Sequence, residues 1–170
     1  MSTKFQDLKN SPLDINDRDR LLNDIEILIK ADNYWLPSLA NTAALLYERM
    51  PDVSWVGFYL LKGTALILGP FQGKVACVRI DIGKGVCGTS FLKRETIIVP
   101  DVNEFPGHIA CDPYSKSEIV VPLLKGERTL GVLDIDSTSK SRFTGSDKLM
   151  LEKVAELLTC NCKIEDFVDY

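Results

Sequence analysis

The chain has 170 residues, of which 45% are hydrophobic and 26% charged, so it fits one soluble globular domain with a sizeable core. Its net charge of −4 argues against nucleic-acid binding, which usually leaves a basic footprint. The N-terminus has no apolar signal-peptide core, and no stretch approaches the ~18–20 apolar residues of a membrane span. We therefore expect a cytoplasmic protein, in which a disulfide is usually catalytic or redox-sensing.

Hydrophobic periodicity and turn residues predict an α+β domain, with a largely antiparallel sheet of about six strands flanked by N-terminal and C-terminal helices. Residues 1–15 are polar and are expected to form an arm ahead of a single domain over residues 16–165. Asn16 or Asp17 would cap the first helix. The predicted elements, in chain order, are helices over residues 16–31 and 34–50, strands over 54–61, 64–68 and 75–82, a short helix over 83–92, strands over 96–99, 118–124 and 129–136, and a helix over 145–162.

Cys111 is the first candidate for chemistry, because it lies in a long loop rich in glycine and proline, over residues 100–116. Backbone N–H groups of such a loop can converge on an anion, and the same donors would favour the reactive thiolate. The alternative is a half-buried loop cysteine without a role. Cys87, which has Gly85 and Gly88 beside it, is either a mobile resolving thiol or a small core residue at a helix start.

The other cysteines carry weaker signals. Cys77 lies in an apolar strand pattern, where cysteine is often a small buried hydrophobe. Cys160 and Cys162 lie on the last helix, two positions apart, and are interpreted as structural. His108 stands three residues before Cys111, so two arrangements are possible. One is a thiolate–imidazolium pair, and the other is a zinc site formed by Cys77, Cys87, His108 and Cys111. The chain has no CxxC pair of the kind that structural zinc sites use, and we expect no bound metal.

Acidic and aromatic residues on the predicted strands indicate a ligand pocket. Asp134 and Asp136 alternate along one strand and so project to the same face, where a cation would relieve their repulsion; the alternative is a solvated strand end. Glu118 begins the neighbouring strand and could approach this pair. Trp55 and Tyr59 share a face of the first strand, as pocket walls or as ordinary core.

Together these segments resemble the free methionine-(R)-sulfoxide reductases, a family of single-domain proteins with the GAF fold. The resemblance covers roughly residues 34–160, and generic GAF sensor domains lack the three cysteines in these contexts. The motifs that carry it are SWVGFY at 54–59, LGPFQG at 68–73, AC at 76–77, GKGVCGT at 83–89, GHIACD at 107–112, residues 115–122, and GVLDID at 131–136.

The resemblance implies a thioredoxin-dependent oxidoreductase that protects against oxidative stress and uses no bound cofactor. Cys111 would be the nucleophile, oxidised to a sulfenic acid, and Cys77 and Cys87 the thiols that resolve it as a disulfide. Free methionine-(R)-sulfoxide would be the substrate and thioredoxin the external reductant, with a homodimer also in keeping with the family. The implied substrate-binding residues are Trp55, Tyr59, Ile109, Ala110, Glu118, Asp134 and Asp136. The alternative function is that of a GAF-type sensor that binds a small ligand without catalysis.

Overall fold

The computed structural model describes residues 13–31, 34–109 and 112–168. Most of the predicted arm over residues 1–15 therefore lies outside the described residues. Within them, five α-helices surround a six-stranded sheet, which confirms the α+β prediction. The helices are α1 (Ile15–Ala31), α2 (Trp35–Arg49), α3 (Gly85–Lys93), α4 (Gly145–Asn161) and the short α5 (Glu165–Val168). The backbone N–H of Asp17 donates to Asp14 Oδ1 at 2.8 Å, so Asp14, rather than Asn16 or Asp17, caps the first helix.

The sheet has the order β3-β2-β1-β6-β5-β4, and every neighbouring pair is antiparallel. The long central strands are buried almost continuously, because both faces of the sheet are covered. The strands are β1 (Trp55–Lys62), β2 (Ala65–Gln72), β3 (Arg79–Asp81), β4 (Ile97–Val99), β5 (Ser117–Lys125) and β6 (Arg128–Ser137).

The two faces of the sheet bury different residues. On one face, Phe58, Ile119 and Leu133 pack with apolar residues of α1, α2 and α4 in the larger core cluster. On the other face, Trp55 and Tyr59 belong to a smaller cluster that also contains Cys87 of α3. The larger apolar cluster on the first face packs the helices against the sheet, whereas the smaller cluster on the second face leaves space for polar side chains.

Two strand predictions were wrong at their ends. β2 continues past Leu68 to Gln72, because a register shift opposite Phe58 accommodates Gly69 and Pro70 as a bulge, where proline is tolerated. β3 covers only Arg79–Asp81, whereas a strand was predicted over residues 75–82. The missing part has other partners: the Tyr59 hydroxyl donates to the Cys77 carbonyl at 3.0 Å.

Gly131 allows β6 to lie close to β1. A Cβ atom at this position would stand 2.3 Å from the Tyr59 carbonyl oxygen and 3.0 Å from Leu60 Cα, and backbone atoms of a central strand cannot move aside. We therefore expect Gly131→Ala to lower the free energy of unfolding by about 1–3 kcal/mol. Urea unfolding would measure this loss. Gly145→Ala is the matched control, because a Cβ there meets nothing within 4 Å; equal stabilities of the two variants would contradict the prediction.

No helix among the described residues is both long enough and apolar enough to cross a bilayer.

Candidate active site

Three carboxylates converge on the polar face of the sheet. Glu118 of β5 is paired directly with Asp136 of β6, and Asp134 lies two residues further along the same face. The side chains of Glu118 and Asp134 are buried, with 5% and 6% exposure. The predicted approach of Glu118 to the aspartate pair is therefore present in the structure, since strand pairing forces it.

These carboxylates are difficult to ionise. Burial raises the pKa of Glu118 well above its usual range, and the charge of Asp136 raises it further. Burial raises the pKa of Asp134 in the same way, followed by the charge of Glu118. The pKa of Asp136 is raised by burial and then by Asp134. The cluster therefore favours the protonated form more than exposed carboxylates do, and a protonated carboxyl can act as a general acid.

Cys87 lies beneath the carboxylates, in the first turn of α3. Gly83 and Gly85 have φ values of +80° and +59° and shape the turn that leads into this helix. The Cys87 thiol is free and buried, and its sulfur lies 3.9 Å from Glu118 Oε1, to which it donates. Burial, followed by the charges of Asp134 and Glu118, raises the pKa of this thiol. Of the two alternatives for Cys87, the structure matches the small core residue at a helix start.

Cys77 is in a different state, because it is disulfide-bonded. It lies in the segment between β2 and β3, and the Tyr59 hydroxyl donates to its carbonyl oxygen at 3.0 Å. This bond ties the Cys77 segment to the polar face of the sheet. A cysteine in a disulfide cannot be a thiolate ligand, so the zinc site considered from the sequence lacks Cys77 here.

Aromatic rings form one wall of the site. The rings of Trp55 and Phe71 stack with centroids 5.4 Å apart, and those of Trp55 and Tyr59 stack at 6.0 Å. Gly57 makes room for this arrangement, because a Cβ atom there would lie 2.3 Å from the Trp55 ring. Phe71 was missed as a wall residue because β2 was predicted to end at Leu68; the strand parity beyond the bulge would have revealed it.

His108, Ile109 and Asp112 line the site, and Ala110 and Cys111 lie outside the described residues. His108 Nε2 stands 3.6 Å from Glu118 Oε2. Burial lowers the pKa of this imidazole and raises that of Glu118, and both shifts disfavour an ion pair between the two groups. The Ile109 side chain lies over Gly85. Lys74 forms an ion pair of 3.2 Å with Asp112, a contact that nothing in the sequence pattern indicated.

Two small cavities meet at the carboxylates. One, of about 30 Å³, is lined by Cys87, His108, Ser115 and the carboxylates. The other, of about 20 Å³, lies between Trp55, Tyr59 and the carboxylates of the aspartate pair. Each holds about one or two water molecules. The two cavities therefore have aromatic and acidic walls, and Cys87 lines the first of them.

Comparison with known proteins identifies several relatives of this chain. Residues 36–160 match the family described as "GAF domain". The protein named free methionine-R-sulfoxide reductase from Escherichia coli is 51% identical over 138 residues, which are 81% of this chain and 84% of that protein. The protein of the same name from Saccharomyces cerevisiae is 47% identical, over 85% of this chain and 84% of its own length.

A solved structure extends the likeness to three dimensions. The free methionine-R-sulfoxide reductase of Neisseria meningitidis, in complex with its substrate, superposes with a TM-score of 0.85 at 41% identity. The match covers 94% of this chain and 97% of the other. Fold and sequence thus agree over nearly the whole length of both proteins.

Proposed function

Because this chain belongs to the GAF-domain family and, within it, to the free methionine-R-sulfoxide reductases, we propose that it reduces free L-methionine-(R)-sulfoxide to methionine. Its family makes it an oxidoreductase that acts on sulfur. The observation that carries the proposal is a disulfide at Cys77 beside a buried acidic pocket with an aromatic wall. This combination suits a small substrate that carries an ammonium group, and a thiol-dependent reduction.

The pocket would hold the zwitterionic substrate at both ends. Glu118, Asp134 and Asp136 would accept the α-ammonium, which removes the repulsion and desolvation that raise their pKa values. Trp55, Phe71 and Tyr59 would contact the methyl-sulfoxide end. Backbone N–H groups of Ile109, Ala110 and Cys111 would orient the carboxylate or the sulfoxide oxygen.

The reduction would begin with attack of the Cys111 thiolate on the sulfoxide sulfur. The attack would join the two sulfurs, and a protonated carboxyl, from Glu118 or Asp136, would give its proton to the sulfoxide oxygen. The oxygen would then pass as a hydroxyl from the substrate sulfur to the Cys111 sulfur, as the S–O bond and the transient S–S bond break. The substrate sulfur gains two electrons and leaves as methionine, and Cys111 loses two electrons and becomes a sulfenic acid. A resolving thiol then condenses with the sulfenic acid, forming a disulfide and releasing water.

We assign the resolving role first to Cys77. Cys77 is disulfide-bonded whereas Cys87, Cys160 and Cys162 are free, and the chain contains one further cysteine, Cys111. The oxidised enzyme would therefore carry a Cys77–Cys111 disulfide. A role for Cys87 as a second recycling thiol stays a prediction. Thiol–disulfide exchange needs a thiolate, and the raised pKa of Cys87 disfavours that form. Thioredoxin would reduce the disulfide, so electrons enter without a bound cofactor.

The test is NADPH consumption with thioredoxin and thioredoxin reductase, using free L-methionine-(R)-sulfoxide, its (S) epimer and a peptide-bound sulfoxide. We expect turnover of the free (R) form alone, because a peptide bond removes the ammonium and leaves buried carboxylates without a cation. Rapid reduction of the peptide would contradict the proposed recognition. A folded, fully reduced protein that reduces none of the three would instead be a ligand sensor.

A further inference from the structure

Three buried side chains with metal-ligating atoms meet at the base of the pocket. One donor atom each from Cys87, Glu118 and Asp134 lies within 4.8 Å of the others. The distance of 3.9 Å between Cys87 Sγ and Glu118 Oε1 is slightly longer than that between two ligands of a tetrahedral ion with bonds of about 2.0–2.3 Å. Small rotamer adjustments would bring a thiol and two carboxylates onto one ion.

An unpartnered oxygen points to a cation at the same place. Asp134 Oδ1 is buried and accepts no hydrogen bond from any described residue. The Asp134 side chain is 94% buried, and it lines the same cavity as Cys87 and Glu118. A buried acceptor without a partner is costly, so a ligand that satisfies it gains affinity.

We propose that Cys87, Glu118 and Asp134 form a binding site for a divalent transition-metal ion, with Zn²⁺ as the best match. Zinc accepts thiolate and carboxylate ligands together, whereas Mg²⁺ and Ca²⁺ prefer oxygen alone. Of the zinc site considered from the sequence, this set keeps Cys87 and replaces the other ligands with carboxylates.

The ion would inhibit the enzyme rather than assist it. It would occupy the acidic floor that receives the substrate ammonium, so metal and substrate would compete; this consequence rests on the proposed function. Because Cys77 is not a ligand, the site is available in the disulfide form as well as in the reduced form. Metal binding is therefore testable apart from turnover.

The first measurement is Co²⁺ titration of the oxidised protein, in which the Cys77 disulfide removes that thiol from competition. We expect the near-ultraviolet absorption of a thiolate–cobalt bond, absent from Cys87→Ser and retained in the exposed-thiol control Cys160→Ser. Calorimetry with Zn²⁺ should show affinity at least about 100-fold weaker in Cys87→Ser, since loss of a supporting residue alone costs 10–100-fold. Asp134→Asn, which keeps the side-chain shape, should weaken Zn²⁺ binding independently, and thermal unfolding verifies that both variants are folded.

An absent cobalt–thiolate band in the oxidised protein, or a band that survives Cys87→Ser, would overturn the proposal. A band lost in Cys160→Ser instead would assign the metal to the protein surface and overturn it equally. Turnover measured with a chelator present separates the two hypotheses. An enzyme that reduces the sulfoxide but binds no zinc refutes the metal site alone, whereas zinc binding without turnover refutes the reductase.

Discussion

Replacing Cys77 with serine should give an enzyme that forms about one equivalent of methionine per chain and then stops. Attack by Cys111 needs no second thiol, so the first reduction is preserved. The sulfenic acid that remains has no Cys77 to condense with, and thioredoxin finds no disulfide to reduce. The expected steady-state rate with thioredoxin therefore falls to background, while the burst of methionine remains.

Methionine formed per chain, with and without the thioredoxin system, measures this prediction. Cys111→Ser should form none, because the nucleophile is lost before any chemistry. Cys160→Ser is the matched control, since Cys160 is exposed and free, and it should turn over normally. Sustained turnover by Cys77→Ser would transfer the resolving role to Cys87, and a Cys77→Ser/Cys87→Ser double variant limited to a single burst would then prove that transfer.

The order of elements could be predicted from the sequence because hydrophobic periodicity and turn residues are local signals. The carboxylate cluster followed from the same logic: Asp134 and Asp136 share a face by strand parity, and a hairpin brings Glu118 opposite. The extension of β2 past Leu68 could not be predicted, since Gly69 and Pro70 normally end a strand. Only the pairing with β1 shows that a bulge admits them.

The surroundings of the cysteines could not be predicted from the local sequence alone. Sequence context left Cys87 as either a mobile resolving thiol or a small core residue at a helix start, and it placed Cys77 in an apolar strand. The structure has Cys87 buried in α3 and Cys77 half-buried, disulfide-bonded and outside the strand. The difference arises from long-range contacts. Side chains of β1 hold the Cys77 segment through hydrogen bonds to Lys74 and Cys77 carbonyls, so that segment leaves the sheet ladder. Such side-chain-to-backbone bonds have no periodic signature.

Glu118→Gln should lower kcat by about 10²–10⁴-fold, the usual contribution of a positioned general acid. Glutamine keeps the shape of the side chain but cannot give a proton to the sulfoxide oxygen. Wild-type activity should decline as pH rises through the raised pKa of Glu118, because only the protonated form is competent. A variant with wild-type kcat would assign the acid to Asp136.

The melting temperature of Glu118→Gln minus that of wild type should increase as pH rises from about 5 to about 8. Burial raises the pKa of Glu118 in the folded protein above the value of about 4.3 expected in the unfolded chain. Between those two pKa values the folded state binds more protons than the unfolded state, so wild-type stability falls as pH rises, and glutamine removes that loss. Exposed Glu156 provides the control, because Glu156→Gln should follow the wild-type curve at every pH. Parallel curves for wild type and Glu118→Gln would show that Glu118 is ionised in the folded protein, and would remove it as the proton donor.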